Sequence, residues 1–422
     1  MPSPRRRRLI LLTAAVFIAC LSGCFGYPTL EFSDAETDGS RVRLTMFGSK
    51  AGKTQVEPLE DILNAFMREN PDILITYEGL SNEDGYPEVL LRRLSTGNAD
   101  DLFMMNPYTF RTVYDSGYVG TLIEDLTDKG FLERYNDIVK PLMTVEGRVF
   151  ALPLELGTFG LFVNLSLLED SGIAATPGSC ADFRSACETL RQKGLTPLPS
   201  GTAWASILTL GRALAPVYLD GNQPGNGRFS SFSGPGELLF PGLQLMETLT
   251  AQGYWANERG SSSWEGDLDR FASGGCAFLP IPSYQIQRVL DRKPDFRCVY
   301  IGLPVADDGR VAMLRAGSPV SVSAASPHKE EALRFLSFLT QPENVAAFAE
   351  DQNAFNPLTD VQRKNPVIRD LTDLILEGRC FSDADPLIPW NLVDAAAERS
   401  ASVLAGQTAE AAASSTYKEM SP

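Results

Sequence analysis

Residues 146–164 read EGRVFALPLELGTFGLFVN, and this stretch decides how the chain is divided. Glu146, Gly147 and Arg148 form a tight polar turn. A strand follows over 149–152, stops at Pro153, and a second apolar run over 161–163 ends at Asn164. Proline interrupts a strand ladder because it has no amide hydrogen, and Gly157 and Gly160 leave the backbone between the two runs free to bend. One carboxylate, Glu155, lies in that interval. Two structures fit: a bent hairpin inside one domain, or a chain passing from one domain into another. These residues fit both equally, so the rest of the chain has to arbitrate.

At 422 residues the chain is long for one core, and two domains are expected. With 44% apolar and 21% charged residues it is globular rather than disordered. Residues 1–23 stand apart. Arg5 to Arg8 make a basic leader, 9–19 an apolar run too short for a comfortable membrane span, and Leu21-Ser22-Gly23 a small-residue stretch before Cys24. That is a secretory signal, and Leu21-Ser22-Gly23-Cys24 resembles the bacterial lipobox. The resemblance implies a lipidated Cys24, with several acyl chains holding the protein to the cell membrane and facing it outward. Residues 31–40 are polar and acidic, and 24–40 read as a flexible tether.

Loss of the four leader arginines takes the formal charge from −16 to −20. With that charge and no basic stripe, nucleic acid is not an expected partner. After the leader and Cys24, five cysteines remain: Cys180, Cys187, Cys276, Cys298 and Cys380, none in a CxxC spacing. On one helix, Cys180 and Cys187 would lie about 10 Å apart and could not bridge. A Cys276–Cys298 disulfide is open from the sequence, and small buried thiols are the simpler expectation.

The chain before the opening stretch alternates strands (42–47, 73–77, 102–105) with helices. Leu59, Ile62, Leu63, Phe66 and Met67 fall at helical spacing. This order predicts an open, largely parallel sheet with ligands at the carboxyl ends of its strands. Further on, helices are expected over 182–191 and 238–249, with strands after Gly274-Gly275, over 298–303 and over 320–324. Ser326 is expected as a helix cap before Pro327, and Thr340 to Glu343 has the spacing of a capping box.

At this point the pattern resembles the family 1 extracellular solute-binding proteins, the sugar-binding lipoproteins of bacterial ABC importers, to which maltose-binding protein is related. The residues that carry the resemblance are Asn70-Pro71-Asp72-Ile73, Ser95-Thr96-Gly97 with Asp100-Asp101-Leu102-Phe103, the run 146–153, Phe162-Val163-Asn164, Gly194-Leu195-Thr196-Pro197, 271–278, Gly302-Leu303-Pro304 and 326–332. None is strong alone; their order and spacing are specific. The resemblance implies an α/β fold of two lobes, each a mostly parallel sheet flanked by helices, closing on a ligand between them. It puts crossings near 154–158, 268–274 and 322–328, with 41–154 and 275–322 in lobe one and 155–274 and 323–422 in lobe two. It also implies a monomer that delivers its ligand to ABC permease subunits. Four positions depart from the family pattern: Val163 where tyrosine is usual, Ser179-Cys180 where Thr-Trp is usual, and Tyr284 where tryptophan is common.

Sugar recognition needs flat aromatic faces and fixed polar groups. The candidates for ligand contact are Phe47, Ser49, Asn82, Asn106, Tyr108, Glu155, Phe159, Trp204, Trp264, Tyr284, Ser318 and Trp390. Core packing is the competing fate of each aromatic. The chain has one histidine, His328, on the first turn of an expected surface helix, which excludes histidine triads and histidine metal sites, and neither a P-loop nor a GxSxG motif is present. A glycosidase built on two carboxylates needs no histidine, but no two acids are presented on neighbouring strand ends. The expected function is therefore carbohydrate capture by hinge closure, without catalysis, cofactor or metal. The alternatives are a non-sugar solute on the same scaffold, or a surface sensing or adhesion lipoprotein.

Overall fold

A computed structural model describes residues 29–30, 41–51, 53–81, 85–105, 107–117, 119–200, 204–219, 228–256, 263–359 and 366–415. The leader, Cys24, Asn82 and Asn106 lie outside the described residues, as does the side chain of Tyr108. The strands are β1 (Thr29–Leu30), β2 (Val42–Gly48), β3 (Ile73–Gly79), β4 (Leu102–Met104), β5 (Thr144–Val145), β6 (Arg148–Val149), β7 (Glu155–Asn164), β8 (Phe278–Pro282), β9 (Cys298–Ile301), β10 (Ala312–Gly317), β11 (Val320–Val322) and β12 (Cys380–Ser382).

The first lobe follows the expected grammar. Its sheet has the order β1-β3-β2-β4-β11. β2 runs parallel to both β3 and β4, joined through the helices Lys53–Glu69 and Tyr86–Ser95. The apolar stripe of the first helix is buried at Leu59, Ile62, Leu63 and Phe66, with Met67 half-buried. The edges are antiparallel: β11 on β4, and β1 on β3. Thr29 and Leu30 thus pair with Tyr77 and Glu78 from within the segment expected as a tether.

The second sheet is not mostly parallel. Its order is β12-β10-β7-β8, with β9 also on β7. Only β10 and β12 are parallel; β8, β9 and β10 all run antiparallel to β7. β9 pairs with the second half of β7 and β10 with its first half, and residues 302–311 loop out between them, closed by a Leu303–Val311 bridge. β7 is buried on both faces, as its near-continuous apolar sequence requires. Phe162 faces the core shared with lobe one, while Phe159, Leu161 and Val163 face a second core. Period-two alternation along one strand thus serves two cores.

The opening stretch is a crossing, displaced slightly from the expected place. Glu146 (φ 50°) and Gly147 (φ 79°) make the turn of the β5–β6 hairpin. Leu152 pairs with Val320 in the first lobe, and three residues later β7 starts in the second sheet. The other two crossings are corrected. Gly274 ends the helix Trp264–Ala272, but the chain goes on to pair with β7, so there is no crossing near 268–274. Residues 275–317 belong with the second sheet, and the return is made at 318–319, between β10 and β11. No crossing falls at 322–328 either. The helix Lys329–Leu339 packs in lobe one, where Phe335 meets Phe66 at 5.1 Å between ring centres. The third passage follows the helix Pro342–Asp351, where Phe355 pairs with Leu156.

Two helix starts also differ. Ser326 Oγ donates to Asp101 Oδ1 at 2.6 Å and accepts from His328 N at 3.0 Å, but the helix starts at Lys329, with His328 and not Ser326 in the cap position. Thr340 Oγ1 donates back to Leu336 O, and Gln341 is the residue before the next helix, so there is no capping box. All five described cysteines are free, with Cys276 fully buried. Alkylation under denaturing, non-reducing conditions should therefore label Cys276 and Cys298; labelling that appears only after reduction would contradict the free pair.

Candidate functional site

The parallel strands of lobe one end at its boundary with lobe two, and the loops after them face the ends of β7, β8 and β10. A cleft of about 390 Å³ lies there. Lobe one supplies Ser49, Lys50 and Ser81; lobe two supplies Phe159, Trp264, Tyr284 and Gln285; the crossings supply Glu155 and Ser318.

Glu155 organises the cleft. It is 4% exposed. Its Oε1 accepts from Ser318 Oγ at 2.7 Å and from Lys50 Nζ at 3.4 Å. Lys50 Nζ also donates to Gln352 Oε1 at 2.6 Å. Lys50 follows β2, Glu155 opens β7 at the first crossing, Ser318 sits in the second, and Gln352 stands at the start of the third passage. Glu155 Oε1 thus joins the first two crossings directly and reaches the third through Lys50, which bridges it to Gln352. The other oxygen, Oε2, is buried without a protein partner, and so is Gln285 Oε1 on the same cleft wall. Buried acceptors left unpaired are uncommon and costly.

Gly317 permits the close approach. A Cβ there would lie 2.6 Å from Glu155 Cγ. Gly317→Ala should push the Glu155 side chain away from Ser318, costing about 1 kcal/mol of stability, which thermal denaturation would read as a lowered melting temperature.

The aromatic groups differ in what covers them. The Arg315 guanidinium lies 4.4 Å from the Phe159 ring centre, and that of Arg288 lies 4.0 Å from Trp264. Tyr284 is 38% exposed, one of three large hydrophobic side chains so exposed among the described residues. The cations are paired: Lys50 with Glu155, Arg288 with Glu265, and Arg315 with Asp383, which is 1% exposed.

Of the twelve candidates, Ser49, Glu155, Phe159, Trp264, Tyr284 and Ser318 converge on this cleft. Phe47 does not. It is fully buried 4.6 Å from the Tyr86 ring, beneath the Arg93 guanidinium, because its place on β2 turns it toward the core. Trp204 is half-buried against both cores and does not line the cleft. Trp390 lines a neighbouring cavity instead. Lys50, Gln285, Arg315 and Gln352 were missed. Lys50 and Gln285 adjoin chosen residues, so strand-end logic extended by one position finds them. Arg315 lies on β10, whose AMLRAG sequence is rich in helix-favouring residues and hides the strand. Among the described residues no group of three or more His, Cys, Asp or Glu side chains could hold a metal ion. Among the same residues, no helix is long and apolar enough to cross a membrane.

Residues 51–346 match the family model described as bacterial extracellular solute-binding protein. Solved structures share the architecture. RafE in complex with raffinose is 19% identical, with a TM-score of 0.70 over 88% of this chain and 97% of that one. A sugar transporter from Bacillus licheniformis in complex with stachyose is 19% identical, with a TM-score of 0.70 over 88% and 97%. The putative binding protein MsmE from Bacillus subtilis, in an open conformation, is 17% identical, with a TM-score of 0.72 over 89% and 96%. At such identities the likeness carries the fold alone. A comparison with curated protein sequences finds no match. The family model spans well over half of the sequence, and the two sheets joined by crossings agree with it: the chain belongs to the bacterial extracellular solute-binding proteins and has their two-lobed, mixed α/β fold.

Proposed function

We propose that this protein captures a neutral carbohydrate, a mono- or oligosaccharide, in the cleft at Glu155 and passes it to the membrane subunits of an ABC importer. The observation that carries this reading is the pair of buried, unpartnered acceptors, Glu155 Oε2 and Gln285 Oε1, beside the exposed Tyr284 ring. Sugar hydroxyls are donors that satisfy such acceptors, and the C–H face of a pyranose ring suits an aromatic platform. The lining cations are already paired with carboxylates, which favours an uncharged ligand over an acidic one. Relatives of the same fold were solved with raffinose and stachyose. Ser49, Phe159, Trp264 and Ser318 complete the proposed contact set.

The mechanism is binding without chemistry. Ligand that touches both lobes binds the closed form more tightly than the open one and shifts the population toward it. Small-angle scattering should show a smaller radius of gyration when a binding saccharide is added; an unchanged radius at saturation counts against closure. The lipobox resemblance supports anchoring at Cys24. Cys24→Ala should release the protein from the membrane fraction, and retention there would count against the lipid anchor.

A further inference from the structure

The first two crossings run side by side as one antiparallel ribbon. Gly317 pairs with Glu155 in the second sheet, and Leu152 pairs with Val320 in lobe one, in unbroken register. Leu152 N donates to Val320 O at 2.9 Å, Val320 N to Leu152 O at 3.0 Å, and Leu154 N to Gly317 O at 3.2 Å. Between these pairs, Pro153 and Leu154 stand opposite Pro319 and Ser318. Proline donates no backbone hydrogen bond, so the ladder is weakest where the ribbon passes between the lobes. Ser318 takes φ 47° there. The other non-glycine residues with positive φ among those described, Glu146, Lys293 and Asn353, turn a hairpin or follow a helix. Ser318 alone lies in the ribbon. A left-handed serine is unfavourable, and the residue before a proline prefers extended backbone. The hydroxyl bond to Glu155 Oε1, at 2.7 Å, holds Ser318 in place.

We propose that Ser318 is a positioning residue that ties the state of Glu155 to the angle between the lobes. The inference rests on the capture site proposed at Glu155. While the carboxylate accepts from its hydroxyl, Ser318 stays left-handed and the ribbon keeps the lobe angle of this structure. Without that bond Ser318 returns to extended backbone, and the lobes turn about residues 153–154 and 318–319. A ligand that donates to Glu155 Oε2 fixes the carboxylate and so favours the left-handed arrangement. By linkage, the left-handed arrangement favours the ligand to the same degree.

The test measures the distance between the lobes by pulsed electron paramagnetic resonance on the ligand-free protein, so its outcome is independent of which solute binds. Unnatural amino acids carry the spin labels at Glu69 and Lys193, exposed positions at the ends of the helices Lys53–Glu69 and Cys180–Gln192, one in each lobe. Ser318→Val bars left-handed backbone and should move the protein to a second distance. Ser318→Ala removes only the hydroxyl and should lower the wild-type distance population by roughly tenfold relative to that second one. Glu155→Ala removes the acceptor and should populate the same second distance. Ser318→Gly, which takes left-handed backbone without strain, should retain the wild-type distance. A wild-type distribution in folded Ser318→Val, or in Ser318→Ala where the valine variant does not fold, overturns the proposal. An unchanged distribution in Glu155→Ala overturns the link to the carboxylate, and loss of the wild-type distance in Ser318→Gly overturns the backbone switch.

Discussion

Glu155→Gln should weaken saccharide binding by roughly ten- to a hundredfold while leaving the protein folded. A hydrogen bond to a charged acceptor contributes about 1.5–3 kcal/mol, and each 1.4 kcal/mol is about tenfold in affinity. Glutamine keeps the shape and one oxygen for Ser318, but it replaces the second acceptor with a donor. Glu155→Ala should lose as much affinity and also stability, since Lys50 then keeps only Gln352 among the partners seen for its ammonium. Calorimetry for affinity and thermal denaturation for stability separate the two effects. Equal affinity in wild type and Glu155→Gln would remove Glu155 from the site.

Tyr284→Ala should weaken binding by about tenfold at little cost in stability. The side chain is 38% exposed, so truncation removes little core packing, whereas a sugar stacked on it would lose its platform. Tyr284→Trp should retain or improve affinity, because the larger ring presents the same kind of face. A drop in melting temperature without a drop in affinity would assign Tyr284 to packing.

Much of the fold was legible because lobe one is built from local signals. Its parallel strands carry apolar runs, and the helix Lys53–Glu69 carries its stripe at helical spacing. The second sheet was less legible. Its antiparallel pairing with β7 joins residues far apart in sequence, and β10 is made of helix-favouring residues held extended by neighbours on both sides. The second crossing came from the family resemblance, which put β8 and β9 in lobe one, whereas both pair with β7 in the second sheet. At the site, strand-end position led to Ser49 and Tyr284, and both line the cleft. It failed for Phe47, which still lies within β2 and is fully buried, whereas the cleft starts at Ser49, just past the strand. Glu155 stood out in the sequence as a carboxylate in an apolar crossing, but its meeting with Ser318 and Lys50, and the bridge from Lys50 to Gln352, bring together residues from distant parts of the chain. No local pattern encodes that meeting.

The central claim is that the cleft at Glu155 binds a neutral saccharide. Isothermal titration calorimetry of the purified protein against a panel of mono- and oligosaccharides, with raffinose and stachyose included, tests it most directly. The account predicts saturable one-to-one binding of at least one saccharide, weakened in Glu155→Gln and Tyr284→Ala. Heat from a peptide or polyamine, with none from any saccharide, would contradict it.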